Sequence, residues 1–406
     1  MSTNKTGSTD PEQSTAWAIF LVFLRLGLTS FGGPVAHLGY FREEFVHRRR
    51  WLDEQGYADL VALCQFLPGP ASSQVGIAIG LLRGGYRGSL AAWSGFTLPS
   101  AIALALFALG ISRWGDAVPE GLIHGLKIVA VAVVAQAVWG MARNLCTDGI
   151  RITLAILAAC VVLLASGTWT QLIVIVLAGI TGLLVFRPSE TAGLTRFQPR
   201  VKRLAGLLAL ATFFALLFAL PTLAAASSSL TLALIDSFYR AGALVFGGGH
   251  VVLPLLQAEV VPSGWVSNDT FLAGYGAAQA VPGPLFTFSA FLGASIEGGS
   301  GSLTNAAVCL LAVFVPSFLL VYGALPFWDQ LRSNKHMQAA LGGVNAAVVG
   351  LLLAALYDPV WTSAIFSAID FALLLIALAA LMVWKLPPWL VVLAGGVAGW
   401  LLAVMI

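Results

Sequence analysis

Charge is scarce in this 406-residue chain. Only 10% of its residues are Asp, Glu, Lys or Arg, whereas 59% are hydrophobic and the mean hydropathy is +0.90. A soluble domain is about a quarter charged, so a soluble globule is excluded. Cysteine is equally sparse. Cys64, Cys146, Cys160 and Cys309 stand singly, which offers neither a disulfide framework nor a thiolate metal site. The histidines His37, His47, His124, His250 and His336 also lack metal-ligand spacing, so no metal is expected. Net charge is only +3 and the basic residues sit in short loops, which gives nucleic-acid binding no support. Walker A, dinucleotide and catalytic-serine motifs are missing, and no cofactor is called for. An intramembrane enzyme acting on lipid or peptide would need a nucleophile with its base, or paired acids, at membrane depth. No such set is visible, so an enzyme is the weaker alternative to a transporter.

What the chain does have is apolar blocks, and about 20 apolar residues cross a bilayer core of roughly 30 Å. A polar tail, 1–15, has no basic n-region, so the first apolar block is read as retained. Transmembrane halves are expected over 16–186 and 230–406, joined over 187–229 by a basic connector and a linker helix. The halves resemble each other. RLGLTSFGG from Arg25 recurs 215 positions later as RAGALVFGG from Arg240. WLDEQGYADLVALCQFLPGP from Trp51 recurs as WVSNDTFLAGYGAAQAVPGP from Trp265, sharing the Trp, a Gln and Pro-Gly-Pro. Weaker parallels join the Phe96–Ser100 stretch to Phe314–Ser317, and the helix of Lys127 to that of Asn345.

The expected fold is therefore an all-α polytopic membrane protein of two homologous helical repeats with broken helices, about 13 segments in all. Full spans over 16–38, 57–82, 230–254 and 271–296 belong to that count. An odd number of spans through the first half and linker inverts the second half. The Lys/Arg distribution fits this arrangement and one with re-entrant Pro-Gly-Pro segments equally well. The inverted arrangement is preferred because Arg48 to Arg50, Arg83 and Arg87 surround the first Pro-Gly-Pro, whereas Glu259 and Glu297 flank the second.

The candidate substrate site is drawn from residues at matching places. Arg25 and Arg240 lie in apolar runs, where a charge is costly; each either grips an oxyanion or snorkels and pairs to support the fold. Gly32, Gly33, Gly247 and Gly248 follow them, either as unwound backbone offering N–H groups or as close helix contacts. Pro68, Gly69, Pro70 and Pro282, Gly283, Pro284 interrupt apolar segments in both halves, a pattern that marks transporter binding sites, with a simple kink as the alternative. Gln65 and Gln279 precede them as neutral donors. Lys127 either completes an anion site or snorkels. His250, beside the second glycine run, is the candidate proton carrier. Asp236 stands four residues before Arg240, where a pair can form.

At these residues the chain resembles the chromate ion transporter family in its long, two-domain form. The resemblance rests on the Arg-bearing first helix running into FGGP, the block ending LPGPASSQ, and FGGGHVVLPLL with a second PGP. It implies export of chromate across a bacterial-type inner membrane, driven by the proton-motive force, with oppositely oriented halves. Sulfate, another tetrahedral dianion, is the expected competitor. Composition and spacing by themselves reach only as far as an anion; oligomeric state stays open.

Overall fold

The computed structural model describes residues 15–114, 119–165, 168–187, 201–246, 249–296 and 302–405. The tail (up to residue 14), most of the basic connector, and Gly247, Gly248 and Glu297 lie outside the described residues. The described residues are helical throughout, without a strand. Six helices among them are long and apolar enough to cross a membrane. Large apolar side chains face outward on these and on shorter apolar helices, such as Leu208 and Phe218, Leu393 and Leu401, Leu157 and Val161, and Ile173 and Val176. Apolar cover on this scale belongs in lipid.

The expected full spans at the front of each half are instead helix-break-helix hairpins. α1 (Ala16–Thr29) has 14 residues, about 21 Å at 1.5 Å per residue, which is too short to cross alone. After a break at Ser30 to Gly32 the chain doubles back as α2 (Gly33–Arg42), extended by a π turn (Glu43–Arg48). The reversal is visible in the core, where the Phe23 ring lies 5.7 Å from Phe41 and 5.1 Å from Phe45. α3 (Glu54–Phe66), capped by Asp53, ends at Pro-Gly-Pro and leads into α4 (Ala71–Trp114). α4 is itself two helices. Gly80 and Gly88 would be about 12 Å apart in a straight helix. A Cβ on Gly80 would strike the Gly88 carbonyl, so the chain reverses at Gly84 and Gly85, whose backbones are non-helical.

The second half presents the same order. α8 (Arg203–Ala225) precedes it as a linker helix lying on α9 and α13, largely uncovered. α9 (Leu230–Leu244) and α10 (Val252–Val260) form one hairpin. α11 (Asn268–Ala280), capped by Ser267, and α12 (Phe288–Ser295) form the next around the second Pro-Gly-Pro, with the Phe271 and Phe288 rings 5.1 Å apart. α13 (Ser302–Ala324), the short α14 (Trp328–Ser333) and α15 (Lys335–Ala355) follow.

The remaining helices are exchanged between halves. α5 (Glu120–Leu145) packs on α16 (Ala368–Met382) and α17 (Pro388–Met405), while α15 packs on α6 (Gly149–Leu164) and α7 (Thr168–Val185). Small residues at four-residue spacing allow both contacts. Gly121 and Gly125 meet Gly395 and Gly399; Ala339 and Gly343 meet Ala178 and Gly182. A Cβ on Gly343 would overlap the Ala178 carbonyl, whereas one on Gly140 would meet nothing within 4 Å. Overpacking of this kind costs about 1 to 3 kcal/mol. Gly343→Val should therefore lower the thermal unfolding midpoint in detergent markedly, and Gly140→Ala, on an open helix face, should leave it unchanged or raise it slightly.

Candidate functional site

A helix that breaks at membrane depth frees backbone N–H and C=O groups that lipid cannot satisfy. Here the freed groups satisfy each other across the halves. The Gly69 N–H, at the tip between α3 and α4, donates to the Val245 carbonyl at the tip after α9 (2.6 Å). The Gly283 N–H, at the tip between α11 and α12, donates to the Ser30 carbonyl at the tip after α1 (2.9 Å). Only glycine fits these two donors without strain, since Gly69 has φ +120° and Gly283 φ +97°. Side chains reinforce the crossing. His37, fully buried, places Nε2 3.2 Å from the Ser30 carbonyl and Nδ1 3.4 Å from Ser72 Oγ. A carbonyl only accepts, so the tautomer consistent with this contact carries its proton on Nε2. Ser100 Oγ donates to the Pro282 carbonyl, and Gln74 Nε2 donates to the Pro68 carbonyl (2.6 Å).

The two crossings differ in what fills them. At the Gly69 crossing Gln74 and Ser317 close in, and a Cβ on Gly69 would lie 2.6 Å from Gln74 Nε2 and 3.1 Å from Ser317 Oγ. Phe288 stands in the second half where Gln74 stands in the first, so the Gly283 crossing has no such plug. A cavity opens there, lined by Gly32, Gly33, His250, Gln279, Gly283 and Pro388 among others. Five of the residues expected in the substrate site or in proton coupling thus converge on one space.

Its lining is built of groups able to donate hydrogen bonds. Gly33 begins α2, so the first-turn N–H groups of that helix lack intrahelical partners, apart from Pro34, which has none. Gln279 Nε2 is buried without a hydrogen-bond partner among the described residues. His250 Nδ1 lies 2.8 Å from the Tyr275 hydroxyl, which leaves Nε2 for the cavity, 3.8 Å from where a Cβ on Gly33 would stand. Orphaned donors at a positive helix end are suited to an anion. The cavity measures about 20 Å³, enough for one water, so a tetrahedral ion enters only when the tips move apart.

Other expected residues lie elsewhere. Arg25 is exposed on α1 and makes no side-chain hydrogen bond or ion pair among the described residues. Its counterpart Arg240 is held between Asp236 (2.8 Å) and Glu259 (3.0 Å). Lys127, buried on α5, pairs with Asp269 in the first turn of α11 (2.9 Å). Gln65 is exposed, Pro68 and Gly69 sit in the filled crossing, and Pro70, Pro282 and Pro284 shape the breaks. A guanidinium clamp is therefore not assembled in this conformation: one arginine faces outward and the other is neutralised. His37, Gln74 and Ser317 were missed. The sequence signals for Gln74 and Ser317 were the ASSQ stretch after the first Pro-Gly-Pro and the matched Pro-Ser pair, where hydroxyl and amide groups look like ordinary packing; His37 carried no such signal.

These features define a multi-pass helical membrane protein with a candidate site at crossed helix breaks. A family model described as chromate transporter matches residues 17–183 and 232–400, and the chain belongs to that family. It is 30% identical to the chromate transport protein of Pseudomonas aeruginosa over 94% of this chain and 91% of that one. It is 29% identical to the probable chromate transport protein of Synechococcus elongatus (82% and 81% of the two chains). The figure is 26% for the chromate transport protein of Cupriavidus metallidurans (83% and 80%). No solved structure matches it.

The cavity separates the two glutamines. A hydrogen bond to a charged group is worth about 1.5 to 3 kcal/mol, or roughly 10- to 150-fold in affinity. Gln279→Leu should weaken oxyanion binding to the purified protein, measured by calorimetry, by that factor. Gln65→Leu should leave it within about twofold, since a surface substitution usually changes energies by under 0.5 kcal/mol.

Proposed function

We propose that the protein is a secondary transporter exporting chromate across a bacterial-type inner membrane, with sulfate as competitor. The observation that carries this reading is the cavity at the Gly283 crossing. It offers the orphaned Gln279 amide, His250 and the start of α2 to a ligand that only accepts hydrogen bonds. A fully deprotonated tetrahedral dianion is such a ligand, and the family's relatives named for chromate favour that member of the class. The cavity lies between a hairpin tip of the first half, at Gly32 and Gly33, and two tips of the second, at His250 and Gly283, so motion of one half against the other opens the site. Proton-motive force is the proposed driving gradient.

The halves are proposed to lie oppositely in the membrane, forming an inverted repeat. Reciprocal bonding of equivalent tips, Gly69 to Val245 and Gly283 to Ser30, supports this, as does the exchange of α5 and α15 between equivalent helix pairs. Reporter fusions after Arg203 and at the carboxyl terminus should report opposite compartments, the Arg203 site being cytoplasmic. The same compartment for both would sink the inverted arrangement.

Transport itself is tested with purified protein in liposomes. Labelled chromate should cross in a saturable manner, unlabelled sulfate should compete, and Gly283→Ala should abolish flux while the protein still inserts. A Cβ at Gly283 adds backbone strain at positive φ and would strike Ser100 Oγ. Sulfate flux without chromate flux would reassign the substrate within the same class.

A further inference from the structure

The cation expected to hold substrate, Arg240, is instead the centre of a buried three-residue cluster away from the cavity. One of its terminal nitrogens, Nη2, donates both to Asp236 Oδ2 (2.8 Å) and to Glu259 Oε2 (3.0 Å). Ser237 Oγ also donates to Glu259 Oε2 (2.9 Å). Arg240 Nε and Asp236 Oδ1 are buried and unpartnered among the described residues, and Asp236 is only 6% exposed. Two carboxylates therefore share one guanidinium, and the cluster carries a net negative charge when all three groups are ionised. Such a charge is costly to bury, and one added proton removes it.

Among the described residues lining this site no further charged group appears. A small cavity reaches the cluster, lined by Arg240 and Glu259, by neutral Gln171 of α7, and by Leu172, Leu244 and Leu255. Asp236 and Arg240 come from α9 and Glu259 from α10; they are the charged groups at this site among the described residues, and the neighbouring Tyr239 hydroxyl is taken up by the Phe213 carbonyl. The equivalent place in the first half lacks the arrangement. Leu21 stands for Asp236, and Glu44, in the place of Glu259, binds Arg48 (3.2 Å) and Arg49 (2.6 Å) and not Arg25.

Position gives the cluster a means of coupling. Arg240, in the last turns of α9 before the tip, and Glu259, at the far end of α10, join the two arms of the hairpin. That tip carries Val245, which accepts from Gly69, and His250, which lines the oxyanion cavity. A proton on the carboxylate pair weakens the link across the hairpin arms and so biases the tip.

We propose that Asp236 and Glu259, bridged by Arg240, form the proton-binding site that couples transport to the pH gradient, in place of His250. The proposal rests on the transport reading above, and its test separates the two. Protein is reconstituted with a pH-sensitive dye inside the liposomes and the membrane potential held at zero. A gradient of one pH unit sustains about a tenfold concentration ratio per coupled proton. The wild type should reach a chromate ratio of that order with matching dye-reported proton movement. Glu259→Gln, which preserves the shape and acceptor of the side chain, and Asp236→Asn should still equilibrate chromate down its own gradient but show a ratio near one and no coupled dye signal. Wild-type accumulation in both variants, or wild-type accumulation that follows a sodium gradient at fixed pH, overturns the proposal.

A second measurement needs no transport. Infrared difference spectra of the purified protein on acidification, without oxyanion, should show a protonated-carboxyl band that both variants diminish. An unchanged band in both variants removes the site assignment whatever the substrate proves to be. A wild type that moves no oxyanion yet shows the expected band change would instead reject only the transport reading.

Discussion

The structure depends on backbone groups that have left their helices. Four breaks, near Ser30, Gly69, Val245 and Gly283, would each strand donors and acceptors in a medium without water. They are tolerated because the breaks are bonded pairwise, each tip of one half to a tip of the other. A bond of this kind is specific in direction and length, yet modest in net strength, about 0.5 to 1.5 kcal/mol. It can therefore define a resting arrangement and still be exchanged. The surrounding helices, by contrast, are locked by carbonyl-to-glycine contacts that no side chain could replace.

That contrast places rigidity and motion in different parts of the molecule. α5 with α16 and α17, and α15 with α6 and α7, form two tightly apposed walls in which glycine lets backbones touch. Between them the hairpins meet end to end through two hydrogen bonds and a few polar side chains. Asymmetry is confined to the fillings. Gln74 plugs one crossing, and the equivalent Phe288 leaves the other with an unsatisfied glutamine and a histidine. Matched backbones thus leave a cavity at the Gly283 crossing and a filled space at the Gly69 crossing.

Much of this plan was legible from residue order. The breaks fell where runs of Gly and Pro had marked them, because such runs weaken a helix and remove its backbone donors. The pairing of halves was visible in the matched motifs, and Gly32, Gly33, Gln279, Gly283 and His250 did come together. Two things were hidden. A break does not say whether the chain continues or turns back, and here all four turn back, so the expected spans at the front of each half became hairpins. Partner choice was equally hidden: Arg25 and Arg240 occupy matched positions in similar sequence, and what distinguishes them is Asp236 on the same helix and Glu259 on the next, against Leu21 and a Glu44 diverted to Arg48 and Arg49. Lys127 likewise takes Asp269 from a helix more than a hundred residues away.

The exchange of α5 and α15 has a bearing on how the chain is made. When synthesis reaches the linker helix, α5 has no α16 or α17 to lie on, and α6 and α7 have no α15. The first half emerges with its small-residue seams open to lipid and two hairpin tips unbonded. It is held in waiting until the second half supplies the missing surfaces. The architecture is in this sense a dimer written into one polypeptide, in which each half is the other's folding partner. A chain of half the length built to the same plan would have to find a second copy before its seams could close.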